Sequence, residues 1–178
     1  DLDLVITGME YNGTSLTRLY RNTDGILLLD EVNSEDLINV HNGDLAWGDI
    51  DNDGDLDLAL SGENIIPEGG LTNVTEFYLN EPVGSLSVAQ DPRLIDNDTG
   101  RPLKIRRGSL AWADYDSDGD LDLLAGSRYE SRPFWYENLL ERGDGLRFVE
   151  HPIDVSGRSV AWRRWPRYLK ASQSRSSP

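Results

Sequence analysis

The chain has 178 residues, with 17 Lys plus Arg against 32 Asp plus Glu, a formal net charge of −15. That sign excludes a nucleic-acid backbone or an anionic membrane as the main partner, while 46 Leu, Ile, Val and Phe residues suffice for a packed core. The absence of cysteine excludes disulfide scaffolds, thiolate zinc sites and cysteine nucleophiles, and no apolar run approaches the roughly 18 residues of a membrane span.

In chain order, the opening Asp1-Leu2-Asp3-Leu4 leads to an aromatic strand that closes in Leu19-Tyr20-Arg21-Asn22. A fuller unit follows. Apolar alternation and turn residues predict strands over 45–49, 56–61, 75–80 and 85–89, with a Pro- and Gly-rich loop over 65–73. The same four strands recur at 110–114, 121–126, 134–138 and 146–151. Between the first two strands of each unit lie DIDNDGDLD, residues 49–57, and DYDSDGDLD, residues 114–122, which together hold ten of the 21 aspartates.

Both stretches place aspartate at positions 1, 3, 5, 7 and 9 and glycine at position 6: Asp49, Asp51, Asp53, Asp55 and Asp57 in one, Asp114, Asp116, Asp118, Asp120 and Asp122 in the other. Alternate carboxylates on a tightly turned backbone converge on one point, and a hard cation such as calcium takes six to eight oxygens at about 2.3–2.6 Å. Without a counter-charge such a loop repels itself, since two carboxylates about 4 Å apart cost on the order of 4 kcal/mol at a surface-like dielectric. A solvated acidic turn is the plain reading of Asp96-Asn97-Asp98-Thr99-Gly100, but not of a nine-position pattern that occurs twice. An EF-hand would need Glu at position 12, where Leu60 and Ala125 stand, and helices where strands are predicted.

The flanks repeat as well. Gly-(Asp/Ser)-Leu-Ala-Trp precedes each loop, ending at Trp47 and Trp112, and Arg-Ser-Val-Ala-Trp ends at Trp162. Tyr-x-Asn closes the third strand at Tyr20 to Asn22, Tyr78 to Asn80 and Tyr136 to Asn138, read as a strand end plus a turn residue. Asp1 to Leu4 matches Asp55 to Leu58, so the chain is expected to begin at position 7 of a loop. The period of 50–65 residues is too long for a solenoid coil and suits a four-stranded propeller blade.

These residues resemble the FG-GAP repeats of integrin-α-type β-propellers, and more closely their bacterial VCBS-type relatives, over residues 1–162. The most specific element is Trp47-Gly48-Asp49-x-Asp51-x-Asp53-Gly54-x-x-Asp57-Leu58. The resemblance implies an all-β fold of four-stranded antiparallel blades, here about three blades of an incomplete ring: a partial blade over 1–44, then 45–109 and 110–162. It implies two calcium ions, held by carboxylates at positions 1, 3, 5 and 9 and by the carbonyls of Asp55 and Asp120. The Gly-Ala-Pro of the animal repeats is absent and Ala113 replaces the glycine before the second loop, so integrin-type ligand recognition is not implied.

By the same resemblance the function is that of an extracellular or cell-surface scaffold for adhesion or ligand binding. Its loops would meet a protein or glycan, and further blades of the parent chain would flank it. The alternatives are an accessory propeller of a secreted enzyme, of polysaccharide lyase or phospholipase type, and a lectin using Tyr11, Tyr115 and Tyr129. Trp47, Trp112 and Trp162 recur at one repeat position, which favours packing. No catalytic constellation emerges: the serines lack a partner in sequence, and His41 and His151 stand alone. Residues 163–178 carry no calcium-loop residues and form a divergent basic tail, expected to be an out-of-register or truncated end.

Overall fold

The structure is a computed structural model, and it describes residues 2–66, 69–81, 85–88, 95–96, 101–102, 105, 107–128, 133–140 and 146–153. Trp162, Tyr129, Asp1 and the basic tail lie outside them.

Sheet one contains β1 (Leu4–Met9), β2 (Ser15–Thr23) and β3 (Ile26–Leu29). Sheet two contains β4 (His41–Gly48), β5 (Asp57–Ile65), β6 (Leu71–Glu81) and β7 (Ser85–Val88). A hairpin of β8 (Ile95–Asp96) and β9 (Arg101–Pro102) precedes sheet three, which contains β10 (Ser109–Ala113), β11 (Asp122–Gly126), β12 (Phe134–Asn138) and β13 (Phe148–Pro152). Every pairing is antiparallel and every neighbour in a sheet is the next strand in sequence. The fold is therefore all-β, built of meanders, and the described residues do not close a ring.

Two departures from the sequence expectation have local causes. The loop expected over 65–73 is shorter, because Thr72, Val74 and Thr75 favour extended backbone and the strands pair up to Ile65↔Leu71, leaving residues 66–70 between them. Gly69, at φ +84, makes the turn, closed by Ile66 N–H to Gly70 O at 3.0 Å. A short helix, α1 (Glu31–Asp36), was not anticipated. Asp30 caps it through Asn33 N–H at 3.1 Å, and the buried Ser34 hydroxyl accepts from Leu19 N–H.

Sheet two is the middle layer, which explains why residues 57–63 of β5 are all buried although successive side chains point to opposite faces. Leu58, Leu60 and Tyr78 pack with Val5 and Leu19 of sheet one. Ala59 and Phe77 pack on the other side with Leu110, Leu123, Tyr136 and Phe148 of sheet three. The two tryptophans take matching places: Trp47 lies against the first cluster, and Trp112 against the second. Trp112 also donates from its indole N–H to Ala46 O at 3.2 Å and meets Phe77 and Phe148 with ring centroids 5.9 and 6.1 Å away. Gly48 is small because a Cβ there would lie 3.0 Å from the Trp112 ring. Sheet one ends the stack differently: Leu4 and Ile6 are 41% and 39% exposed, whereas their repeat equivalents Leu58 and Leu60 are fully buried.

Candidate metal sites

Each aspartate loop spans the turn between the first two strands of its sheet, β4 to β5 and β10 to β11. The two backbones agree at the positions with positive φ. Position 4 has positive φ in both, Asn52 at 60° and Ser117 at 67°, and so does position 6, Gly54 at 99° and Gly119 at 105°. Glycine adopts that conformation without the Cβ penalty that other residues incur. Carboxylates then accept from loop N–H groups in matching steps. Asp51 accepts from Asp53 N–H at 3.3 Å and Asp116 from Asp118 N–H at 3.3 Å. Asp53 accepts from Asp55 N–H at 2.9 Å and Asp118 from Asp120 N–H at 3.0 Å.

Position 9 anchors the loop. Asp57 accepts from Ile50 N–H at 2.8 Å on one oxygen and from Asn80 N–H at 2.9 Å on the other. Asp122 does the same with Tyr115 N–H at 2.8 Å and Asn138 N–H at 2.9 Å. Asp3, the matching residue of sheet one, accepts from Asn22 N–H at 2.8 Å. The Asn of each Tyr-x-Asn is thus a strand residue whose main chain binds the position-9 carboxylate, and not only a turn former. Its threefold recurrence was the signal; its partner was not readable from sequence.

The loops bring together carboxylates that could hold a metal ion: Asp49, Asp51 and Asp57 in one, and Asp114, Asp116 and Asp118 in the other, each group with ligand atoms within 4.8 Å of one another. Asp53 stays outside the first group and Asp122 outside the second. The side chains of Asp55 and Asp120 belong to neither; Asp120 instead accepts from Asn52 Nδ2 at 2.7 Å, linking one loop to the other. The donor set is all oxygen, which suits a hard cation. Asp49 Oδ1 is buried and has no hydrogen-bond partner, an oxygen that a cation would satisfy.

Burial raises the carboxyl pKa of Asp57 and of Asp122 to about 6, against the opposing effect of their two backbone N–H bonds and with help from neighbouring aspartate charges. Burial, then the repulsion of nearby aspartates, also raises Asp51; burial raises Asp116. Asp51, Asp57, Asp116 and Asp122 therefore hold a proton more firmly than an isolated aspartate does.

The remaining sequence candidates are placed as follows. Tyr11 is fully exposed, and Tyr115 lies 4.5 Å from the Trp135 ring, which stacks on His151 at 4.3 Å. His151 also pairs with Glu137 at 2.9 Å. His41 is buried at the opposite end of its strand from the loop, with Ser15 Oγ at 2.9 Å from Nδ1 and Glu63 Oε2 at 3.5 Å from Nε2. Neither histidine is therefore isolated. The fully buried Glu63 also accepts from Asn42 Nδ2 at 2.8 Å and lies 3.6 Å from Arg107, so this group ties sheets one and two to the segment that leads into β10. No helix among the described residues is long and apolar enough to cross a membrane.

Comparison with family models, with curated proteins and with solved structures gives no match to this chain.

Proposed function

We propose that this chain is a calcium-binding set of FG-GAP/VCBS-like propeller blades that serves as an extracellular or cell-surface scaffold for adhesion or ligand binding, without a catalytic site of its own. The observation that carries the reading is the doubled loop: two nine-residue turns with the same backbone, the same position-9 anchor and converging carboxylates, one of which leaves Asp49 Oδ1 buried and unpartnered. Calcium would neutralise the crowded carboxylates and tie the first two strands of each sheet, a structural role. Affinities of about 10⁻⁴–10⁻³ M are typical of extracellular calcium modules and suit a millimolar-calcium exterior. Further sheets of the same kind are supported by the exposed Leu4 and Ile6 of sheet one.

Calorimetric titration with calcium at millimolar levels tests the reading. Two ions per chain are expected, with Asp51→Ala and Asp118→Ala, one carboxylate from each group, each removing one. No binding at millimolar calcium would overturn it.

A further inference from the structure

The sequence contains three Asn-x-Ser/Thr triplets, Asn12-Gly13-Thr14, Asn73-Val74-Thr75 and Asn97-Asp98-Thr99, and the metal-site reading uses none of them. Such a triplet accepts an N-linked glycan only where its asparagine amide stands on a surface loop that an enzyme can grasp. Asn73 fails that condition, being half-buried inside β6 and paired across the ladder with Glu63. Asn97 lies outside the described residues.

Asn12 meets the condition. Residues 9–14 are all exposed, and residues 10–14 form the tip of the β1–β2 hairpin, closed by Glu10 N–H to Thr14 O at 2.8 Å and Gly13 N–H to Glu10 O at 2.9 Å. Gly13, at φ +86, turns the chain, and a Cβ there would meet nothing within 4 Å. Strand β1 starts beside Asp3, so the tip stands at the far end of its sheet from the aspartate loops. Its exposure is that of a turn and does not depend on what packs against Leu4 and Ile6.

Within the tip, side chains at alternate positions close on one another. Asn12 Nδ2 donates to Glu10 Oε2 at 3.1 Å, and Asn12 Oδ1 accepts from Thr14 N–H at 2.9 Å. Thr14 Oγ1 lies 2.8 Å from Glu10 Oε2 and 2.7 Å from Asn12 Oδ1, its hydrogen shared between the two. The bonds from Thr14, then Asn12, hold the Glu10 carboxyl below its ordinary pKa. The amide is thus fixed by its oxygen and by one of its two Nδ2 hydrogens, while the other makes no bond among the described residues.

We propose that Asn12 is an N-glycosylation site whose donor is an oligosaccharide joined through its anomeric carbon to a lipid diphosphate. The amide nitrogen bonds to that carbon, and the carbon–oxygen bond to the diphosphate breaks, its electron pair leaving with the diphosphate. The nitrogen gives up its free hydrogen as a proton to a base of the transferring enzyme. The second Nδ2 hydrogen stays on the product amide, so the bond to Glu10 survives the transfer. Glu10 and Thr14 are positioning residues that present the amide. The site rests on the extracellular placement proposed above, since such glycans belong to secreted chains.

The test incubates the folded full chain, in millimolar calcium, with an oligosaccharyltransferase and a lipid-linked oligosaccharide, and reads intact mass and then peptide masses after proteolysis. A single glycan on the peptide that holds Asn12 is expected. Asn12→Gln and Thr14→Ala should abolish it, Thr14→Ser should retain it, Glu10→Gln should slow transfer severalfold, and Asn73→Gln should change nothing. The substitutions at positions 10, 12 and 14 fall on exposed residues and should leave the urea midpoint unchanged. A chain left unmodified while a control acceptor peptide is glycosylated, a glycan on Asn73 or Asn97 in place of Asn12, or transfer indifferent to Thr14→Ala and Glu10→Gln alike would overturn the proposal. Calcium stoichiometry read on the same sample separates the two readings. Two ions with no glycan counts against the acceptor site, and a glycan on Asn12 without ions counts against the calcium sites alone.

Discussion

Between sheets two and three, Ile50 is wedged from one loop into the next sheet, Asn138 holds its carbonyl, Asn52 reaches Asp120, and Leu110 N–H reaches Asp44 at 2.8 Å. Between sheets one and two, the matching positions Asp3, Trp47 and Asn80 surround open space. The contrast shows that the first half of an aspartate loop has two tasks. Its carboxylates face the candidate metal site, while the residue at position 2 locks one sheet to the next. An acidic loop in this fold is also a piece of the apolar interface.

The contrast can be broken at the filled interface first. Ile50→Ala should cost about 2–5 kcal/mol in urea unfolding, the range for large-to-small changes in a packed core, whereas Leu2→Ala at the open interface should stay within about 0.5 kcal/mol. Equal losses would mean that the two interfaces are alike in solution. Calcium sharpens the comparison next: at a hundred times its dissociation constant each bound ion should add about 2.7 kcal/mol, seen as a melting temperature that falls on chelation. Asn138→Ala should cost about 1–3 kcal/mol, since it strips a partner from the buried Ile50 carbonyl, while Asn80→Ala should cost little, its side-chain amide making no hydrogen bond among the described residues.

The pH response of the metal-free chain tests the loops themselves. Asp57 and Asp122 titrate at about 6 when folded and near 3.9 when unfolded, so the folded state binds their protons more tightly. Their contribution favours the folded state fully below about pH 4 and is lost as the pH rises through 6. In chelator, the urea midpoint should therefore rise between pH 7 and pH 5. With saturating calcium the ions hold the carboxylates ionised, and the trend should reverse. A midpoint that falls on acidification in chelator would place these carboxyls elsewhere than in a buried, crowded loop.

Much of the site was legible because its signal is local. Position, spacing and glycine placement in residues 49–57 and 114–122 belong to one turn, and the turn's backbone follows from them. The strands were legible through alternation, with Phe134–Asn138 expected and found at the same bounds. The hairpin at 66–70 was harder, because Pro and Gly mark loops whether or not the flanking strands extend to meet them. The helix at 31–36 was missed because six residues give too short a window for periodicity, and the bond that ties it down, Leu19 N–H to Ser34 Oγ, depends on the fold of sheet one.

By itself the sequence determined the repeat, the two acidic turns, the strands that flank them and the positions where aromatic residues recur, because each depends on residues close in the chain. Only the tertiary structure decided what those positions face. Asp120 became a partner of Asn52, Tyr-x-Asn became the clasp of a buried carboxylate, and His41 joined Ser15 and Glu63 across separate strands. It also made equivalent residues unequal: Leu58 is buried and Leu4 exposed, because a residue's burial is set by the neighbouring sheet and not by its own.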